Sequence, residues 1–169
     1  MGDGDRVKKT IRFVLNGEKR AVDVAPQETL LETLRERLGV KSPKCGCDRG
    51  DCGTCTVMID GRSVRSCLVL GVEVDGAVVT TLEGIMENGE LSPLQQAFLD
   101  RNSFQCGFCA PGMIMSATEL LARNEKPTRE EVQEGLAGNL CRCTGYSPII
   151  DAVLETAGVV SKGGSDERS

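Results

Sequence analysis

The first cluster of hydrophobic positions, Ile11, Phe13, Val14 and Leu15, predicts a strand over Thr10–Leu15. Asn16-Gly17 follows, a two-residue pair whose ease at positive φ favours a tight hairpin turn, and Lys19–Val24 is expected to return as the second strand. Leu30, Leu31, Leu34 and Leu38 then fall at helical spacing, with Gly39 placed to end that helix in a left-handed conformation. Beyond a cysteine-rich loop, Cys55–Ile59 and Ser63–Cys67 flank Asp60-Gly61 and predict a second hairpin, and Ala77–Thr80 predicts a last strand.

The pattern changes after about residue 83. Ser92-Pro93-Leu94-Gln95 combines a Ser N-cap, a proline in the first turn and Gln at the third helical position, a reciprocal capping arrangement. A second helix is expected from Pro111 to Arg123, closed by Asn124, and Thr128 with Glu131 opens a third. Ser147-Pro148 predicts the start of a fourth, with Ser147 as its cap. Two hairpins with one helix, then four short helices, give an α+β chain. The expected boundary lies between Leu82 and Leu91, where Gly84 and Asn88-Gly89 interrupt the pattern. This divides the chain into residues 1–83, residues 84–160 and a polar, disordered tail over 161–169. No internal repeat is present.

Composition sharpens this picture. With four Phe, one Tyr and no Trp in 169 residues, the cores are thin, and bound cofactors could staple them. A net charge of −5 and a pI near 4.9 argue against nucleic acid as a partner. No apolar run reaches the ~18 residues of a membrane span, and the start of the chain lacks the apolar core of a signal peptide, so a cytoplasmic protein is expected.

Nine cysteines and no histidine decide the class of chemistry. An odd count in a reducing compartment makes a poor disulfide framework, and without histidine there is no Cys₂His₂ zinc, Rieske-type ligation or Cys–His catalysis. Cys47, Cys52 and Cys55 stand as C-x₄-C-x₂-C, with Cys67 after eleven further residues. This is the plant-type ferredoxin spacing for a [2Fe–2S] cluster, in which four thiolates converge on two irons. Gly46, Gly50 and Gly53 suit a loop whose backbone must approach a cofactor closely. A Cys₄ zinc site is the competing reading, although zinc favours repeated C-x₂-C pairs. Cys45 stands outside this spacing and reads as a spare thiol. The second set, Cys106, Cys109, Cys141 and Cys143, places C-x₂-C and C-x-C thirty-one residues apart, each ahead of a predicted helix. Helix N-termini suit an anionic cluster, but zinc would satisfy this spacing too.

Three stretches resemble one family. They are Gly46-Cys47-Asp48-Arg49-Gly50-Asp51-Cys52-Gly53-Thr54-Cys55-Thr56-Val57, Gln105-Cys106-Gly107-Phe108-Cys109-Ala110-Pro111-Gly112-Met113 and Gly138-Asn139-Leu140-Cys141-Arg142-Cys143-Thr144-Gly145-Tyr146. Together they are similar to the iron–sulfur subunit of the molybdenum hydroxylases, the xanthine oxidase family. The resemblance runs from about residue 8 to residue 158. It implies an N-terminal β-grasp, ferredoxin-like [2Fe–2S] domain followed by a C-terminal four-helix-bundle [2Fe–2S] domain. It implies an outer cluster on Cys47, Cys52, Cys55 and Cys67 and an inner one on Cys106, Cys109, Cys141 and Cys143, with Gln105 and Cys143 contacting molybdopterin. The molybdenum cofactor would sit on a large partner subunit and FAD on a flavin subunit. No residue of this chain is expected to be catalytic; the implied role is electron transfer within an oxidoreductase. Ala110 departs from the family's common Thr, and Cys45 is an addition; neither removes a ligand. A free-standing two-cluster ferredoxin and a zinc-stabilised interaction module are the alternative functions.

Overall fold

In the computed structural model, residues 8–86 and 88–158 are described. The tail expected over 161–169 lies outside them. β1 (Lys9–Leu15) and β2 (Glu18–Val24) form an antiparallel hairpin across Asn16-Gly17, where both residues take positive φ. β3 (Thr56–Ile59) and β4 (Arg62–Arg65) form the second hairpin across Asp60-Gly61, again at positive φ. β5 (Val78–Thr80) lies between the hairpins, parallel to β1 and antiparallel to β3, so the sheet order is β2-β1-β5-β3-β4. One sheet face is apolar: Ile11, Phe13 and Leu15 of β1 and Val79 of β5 are buried with Leu30 and Leu34.

The helix expected over Leu30–Leu38 forms differently. A single α turn, α1 (Leu30–Glu32), is capped by Thr29, whose hydroxyl accepts from the Glu32 N–H while the Glu32 carboxylate accepts from the Thr29 N–H. The backbone then widens into a π turn over Thr33–Arg37, with the Leu38 N–H donating to Thr33 O, five residues back. Leucine spacing reports which face is buried but not the pitch of the last turn. Arg37 gives that turn an anchor: its guanidinium donates to both Glu28 oxygens at 3.0 and 3.1 Å. Gly39 ends the segment at φ +72°, as its position predicts.

Two further expectations need correcting. The fourth strand stops at Arg65, and Cys67 sits on a 3₁₀ turn, Ser66–Leu68, instead of on the strand. Ser147 is the first residue of the last helix, not its cap; Tyr146 holds the cap position at φ +72°.

The helical half contains α2 (Pro93–Asp100), α3 (Ala110–Arg123), α4 (Arg129–Leu136) and α5 (Ser147–Thr156). The reciprocal caps at Ser92–Gln95 and Thr128–Glu131 form as their spacing predicts. Phe98, Met113, Ile114, Val132, Leu136, Ile149 and Leu154 share one buried core. Arg101 pairs with Glu155 at 2.5 Å, and Arg129 pairs with Asp151, tying the bundle's polar side.

Candidate iron–sulfur centres

The loop between Gly46 and Cys55 carries the first set. Asp48, Gly50 and Gly53 all take positive φ, and this coils the backbone so that its N–H groups turn inward. The Cys52 N–H lies 3.4 Å from Cys47 Sγ, and the Arg49 and Asp51 N–H groups also point to that sulfur. These donors stabilise the thiolate and hold the Cys47 pKa down to about 7. Cys67 answers from the 3₁₀ turn: its sulfur is 3.4 Å from Cys55 Sγ, and burial beside that second sulfur pushes its pKa up to about 12. The loop has no room for larger residues. A Cβ at Gly46 would lie 2.8 Å from Cys52 Sγ, and one at Gly50 would lie 2.5 Å from the Leu68 side chain.

The second set closes across the bundle. Cys109 occupies the N-cap position of α3, and Cys141 and Cys143 lie on the turn between α4 and α5. Cys143 Sγ is 3.7 Å from Cys106 Sγ, and Cys141 faces Cys109. Burial and the nearby Cys141 raise the Cys109 pKa to about 12. Burial would also raise that of Cys141, but the Thr144 hydroxyl, 3.2 Å away, and the N–H groups of Cys143 and Thr144 outweigh it. The Phe108 N–H lowers the pKa of Cys106.

In each set the thiols therefore approach in twos: Cys47 with Cys52, Cys55 with Cys67, Cys106 with Cys143, and Cys109 with Cys141. Among the described residues, no three Cys, Asp or Glu side chains converge as one mononuclear centre would need. A [2Fe–2S] cluster takes two thiolates at each iron, so paired sulfurs ringed by backbone donors fit it.

Comparison with known proteins agrees with this geometry. Residues 13–84 match the family described as a 2Fe-2S iron-sulfur cluster binding domain, and residues 81–154 match a [2Fe-2S] binding domain. The chain is 49% identical over 156 residues to the nicotine 6-hydroxylase small subunit of Paenarthrobacter nicotinovorans, covering 92% of this chain and 93% of that one. It is 48% identical over 146 residues to the nicotinate dehydrogenase small FeS subunit of Eubacterium barkeri, covering 86% and 93%. The crystal structure of quinoline 2-oxidoreductase from Pseudomonas putida 86 superposes with a TM-score of 0.87 at 43% identity, covering 90% of this chain and 94% of that one. The chain belongs to the iron–sulfur subunits of the molybdenum hydroxylases.

As a member of that family, the protein is the electron-transfer component of an oxidoreductase, with two successive [2Fe–2S]-binding domains on an α+β frame. An interlock of backbone and side chains sets how its two cysteine sets face each other. The Leu140 N–H, beside Cys141, donates to Cys52 O at 2.9 Å. Asn139, 2% exposed, donates to Gly53 O at 3.0 Å and accepts from the Ser116 hydroxyl at 2.8 Å. Arg65 spans the same seam, donating to Thr56 Oγ1 at 2.8 Å and to Gly138 O at 2.6 Å. Gly53 has to be glycine here: its φ is +73°, and a Cβ would lie 2.5 Å from Gly138 O.

Gln105 and Cys143 are brought together at an exposed edge, where the Gln105 amide donates to Cys143 O at 3.0 Å. Tyr146 was absent from the sequence-derived site. Its hydroxyl accepts from the Cys141 N–H at 2.9 Å and donates to Asn139 O at 3.3 Å, bracing the turn that carries two thiols. Asn139 and Tyr146 lie inside the Gly138–Tyr146 motif, but nothing local in the sequence distinguishes such braces from ordinary turn residues. Cys45 is exposed and belongs to none of the four pairs; desolvation and the Asp48 carboxylate raise its pKa.

Proposed function

We propose that this chain relays electrons between a molybdopterin site on a large partner subunit and a flavin subunit or an external acceptor. Cys47, Cys52, Cys55 and Cys67 hold the outer [2Fe–2S] cluster, and Cys106, Cys109, Cys141 and Cys143 hold the inner one. Each cluster, when bound, supplies a one-electron carrier. The observation that carries the assignment is the pairing of eight thiols into two nests, each with backbone N–H groups aimed at sulfur.

The chain's own groups then have definite work. N–H donors and the Thr144 hydroxyl offset thiolate charge, which stabilises bound metal and sets the site's potential. The seam at Leu140, Asn139 and Arg65 fixes the distance between the nests. Gln105 and Cys143 share an exposed edge suited to a neighbour's pterin, and Phe108, 43% exposed, and Leu140, 54% exposed, add exposed apolar surface within the same two cysteine motifs. Among the described residues no helix is long and apolar enough to cross a membrane, and we read the complex as cytoplasmic. The domain division at residues 83 and 84 falls within the short connection that carries Leu82–Ile85.

Elemental analysis of native material tests the reading. About four iron and four sulfide per chain are expected; about two zinc and no visible absorption would replace it with a structural zinc module. Recovery with a large molybdenum-containing chain is expected, and isolation as a lone reducible monomer would favour a diffusing ferredoxin. Cys106→Ser should abolish one paramagnetic signal and leave the other, whereas Cys45→Ala should leave both; two intact signals in Cys106→Ser would refute the inner ligand set.

A further inference from the structure

We propose that Lys44, carried on the loop of the outer cysteine set, is an electrostatic positioning residue for the inner set, holding a cation over Phe108 that favours the reduced state there. The inference rests on the two-cluster reading above. Phe108 lies between Cys106 and Cys109, and the Lys44 ammonium stands 5.8 Å from the centre of its ring.

Two sets of contacts fix this placement. The Lys44 N–H donates to Thr54 O at 3.0 Å, and the Thr54 hydroxyl donates to Lys44 O at 2.9 Å. The same hydroxyl is 3.3 Å from Cys52 Sγ, so the lysine backbone is built into the outer nest. The inner loop meets it there: a Cβ at Gly46 would be 3.5 Å from the Phe108 ring. The cation is therefore held by one nest and presented to the other.

It has no direct ion-pair partner among the described residues: the ammonium donates to Ser42 O at 3.4 Å. Glu83 acts on it without a direct contact; its carboxylate is held by the Ser42 N–H, the Ser42 hydroxyl and the Thr81 hydroxyl. Burial and Arg35 push the Lys44 pKa down, while Glu83 and the Cys109 sulfur pull it up. Two exposed cations near the nests are weaker candidates. Arg49 is exposed and tied to Asp51 at 2.6 Å, and Arg142 is exposed to screening solvent.

A tetrathiolate [2Fe–2S] cluster is a dianion when oxidised and a trianion after taking one electron from its donor. A shielded cation nearby favours the second form. Reductive titration of the full chain with dithionite, followed by paramagnetic resonance, tests the idea; the signal lost in Cys106→Ser identifies the inner centre. Lys44→Met should lower the inner centre's reduced-to-oxidised ratio at fixed potential by about tenfold, or about 59 mV for a one-electron couple. The outer centre should move several-fold less. Lys44→Arg should restore the inner ratio to within about twofold, and Lys41→Met, at an exposed lysine three residues earlier, should change neither. If Lys44→Met fails to assemble, Lys44→Gln carries the same expectation. Equal shifts at both centres, no shift at either, or no rescue by arginine would overturn the role of Lys44. A wild-type chain with no reducible iron–sulfur centre would instead overturn the reading beneath it.

Discussion

Asn139→Ala should loosen the seam between the two halves without touching a thiol. Asn139 donates to Gly53 O at 3.0 Å and accepts from the Ser116 hydroxyl at 2.8 Å, and its side chain is buried. Each bond contributes about 1 kcal/mol net. Gly53 O keeps the Thr56 N–H and hydroxyl as donors, so its loss is partial. The Ser116 hydroxyl loses its acceptor in a buried site, which costs about 1 kcal/mol more, and the missing amide leaves a small void. The expected total is about 2–4 kcal/mol. Hydrogen exchange measures it under native conditions, because the Leu140 N–H is protected by Cys52 O across the same seam. At about 1.4 kcal/mol per tenfold, exchange over residues 137–141 should accelerate by roughly 30-fold to 800-fold, with sheet strands β1 and β2 unchanged. Ser116→Ala leaves the buried Asn139 Oδ1 without that donor and should cost about 1–2 kcal/mol. Acceleration in Asn139→Ala below about threefold, or equal acceleration in β1, would refute the claim that this residue locks the halves locally.

Two glycines offer a matched comparison. Gly17 and Gly53 have φ values of +82° and +73°, but a Cβ at Gly17 meets open space while one at Gly53 meets Gly138 O and the Asn139 amide. Gly17→Ala should cost about 1 kcal/mol in denaturant midpoint analysis, and Gly53→Ala at least about 2 kcal/mol more; similar values would remove the steric argument. Acid should weaken the π turn. Burial would raise the Glu28 pKa, but the Arg37 guanidinium outweighs it and holds the carboxyl below the ordinary 4.5. A lowered folded-state pKa gives stability that is complete above the unfolded value and lost as pH falls through the folded one, so the contribution fades below about pH 4.5. Arg37→Met should remove about 1 kcal/mol at pH 7 and flatten that part of the acid profile; an unchanged profile would contradict the assignment.

The sequence by itself determined what depends on neighbours a few residues away. Asn16-Gly17 and Asp60-Gly61 specify their hairpins because few other pairs accept positive φ. Ser92–Gln95 and Thr128–Glu131 specify helix starts because the cap closes within one turn. The spacing of Cys47, Cys52 and Cys55 points to one chelating loop for the same reason. Tertiary structure alone decided the rest. Leucine spacing left the pitch at Thr33–Arg37 open, and only the reach of Arg37 to Glu28 accompanies the wider turn. Ser147 looked like a cap until the chain's return toward Cys141 gave that place to Tyr146, whose hydroxyl binds the turn. The meeting of Asn139 with Gly53, of Leu140 with Cys52, and of Lys44 with Phe108 joins residues 64–88 positions apart in the chain. Such contacts exist only once both halves have folded and docked, because their energy is repaid after loop closure and no local pattern records it.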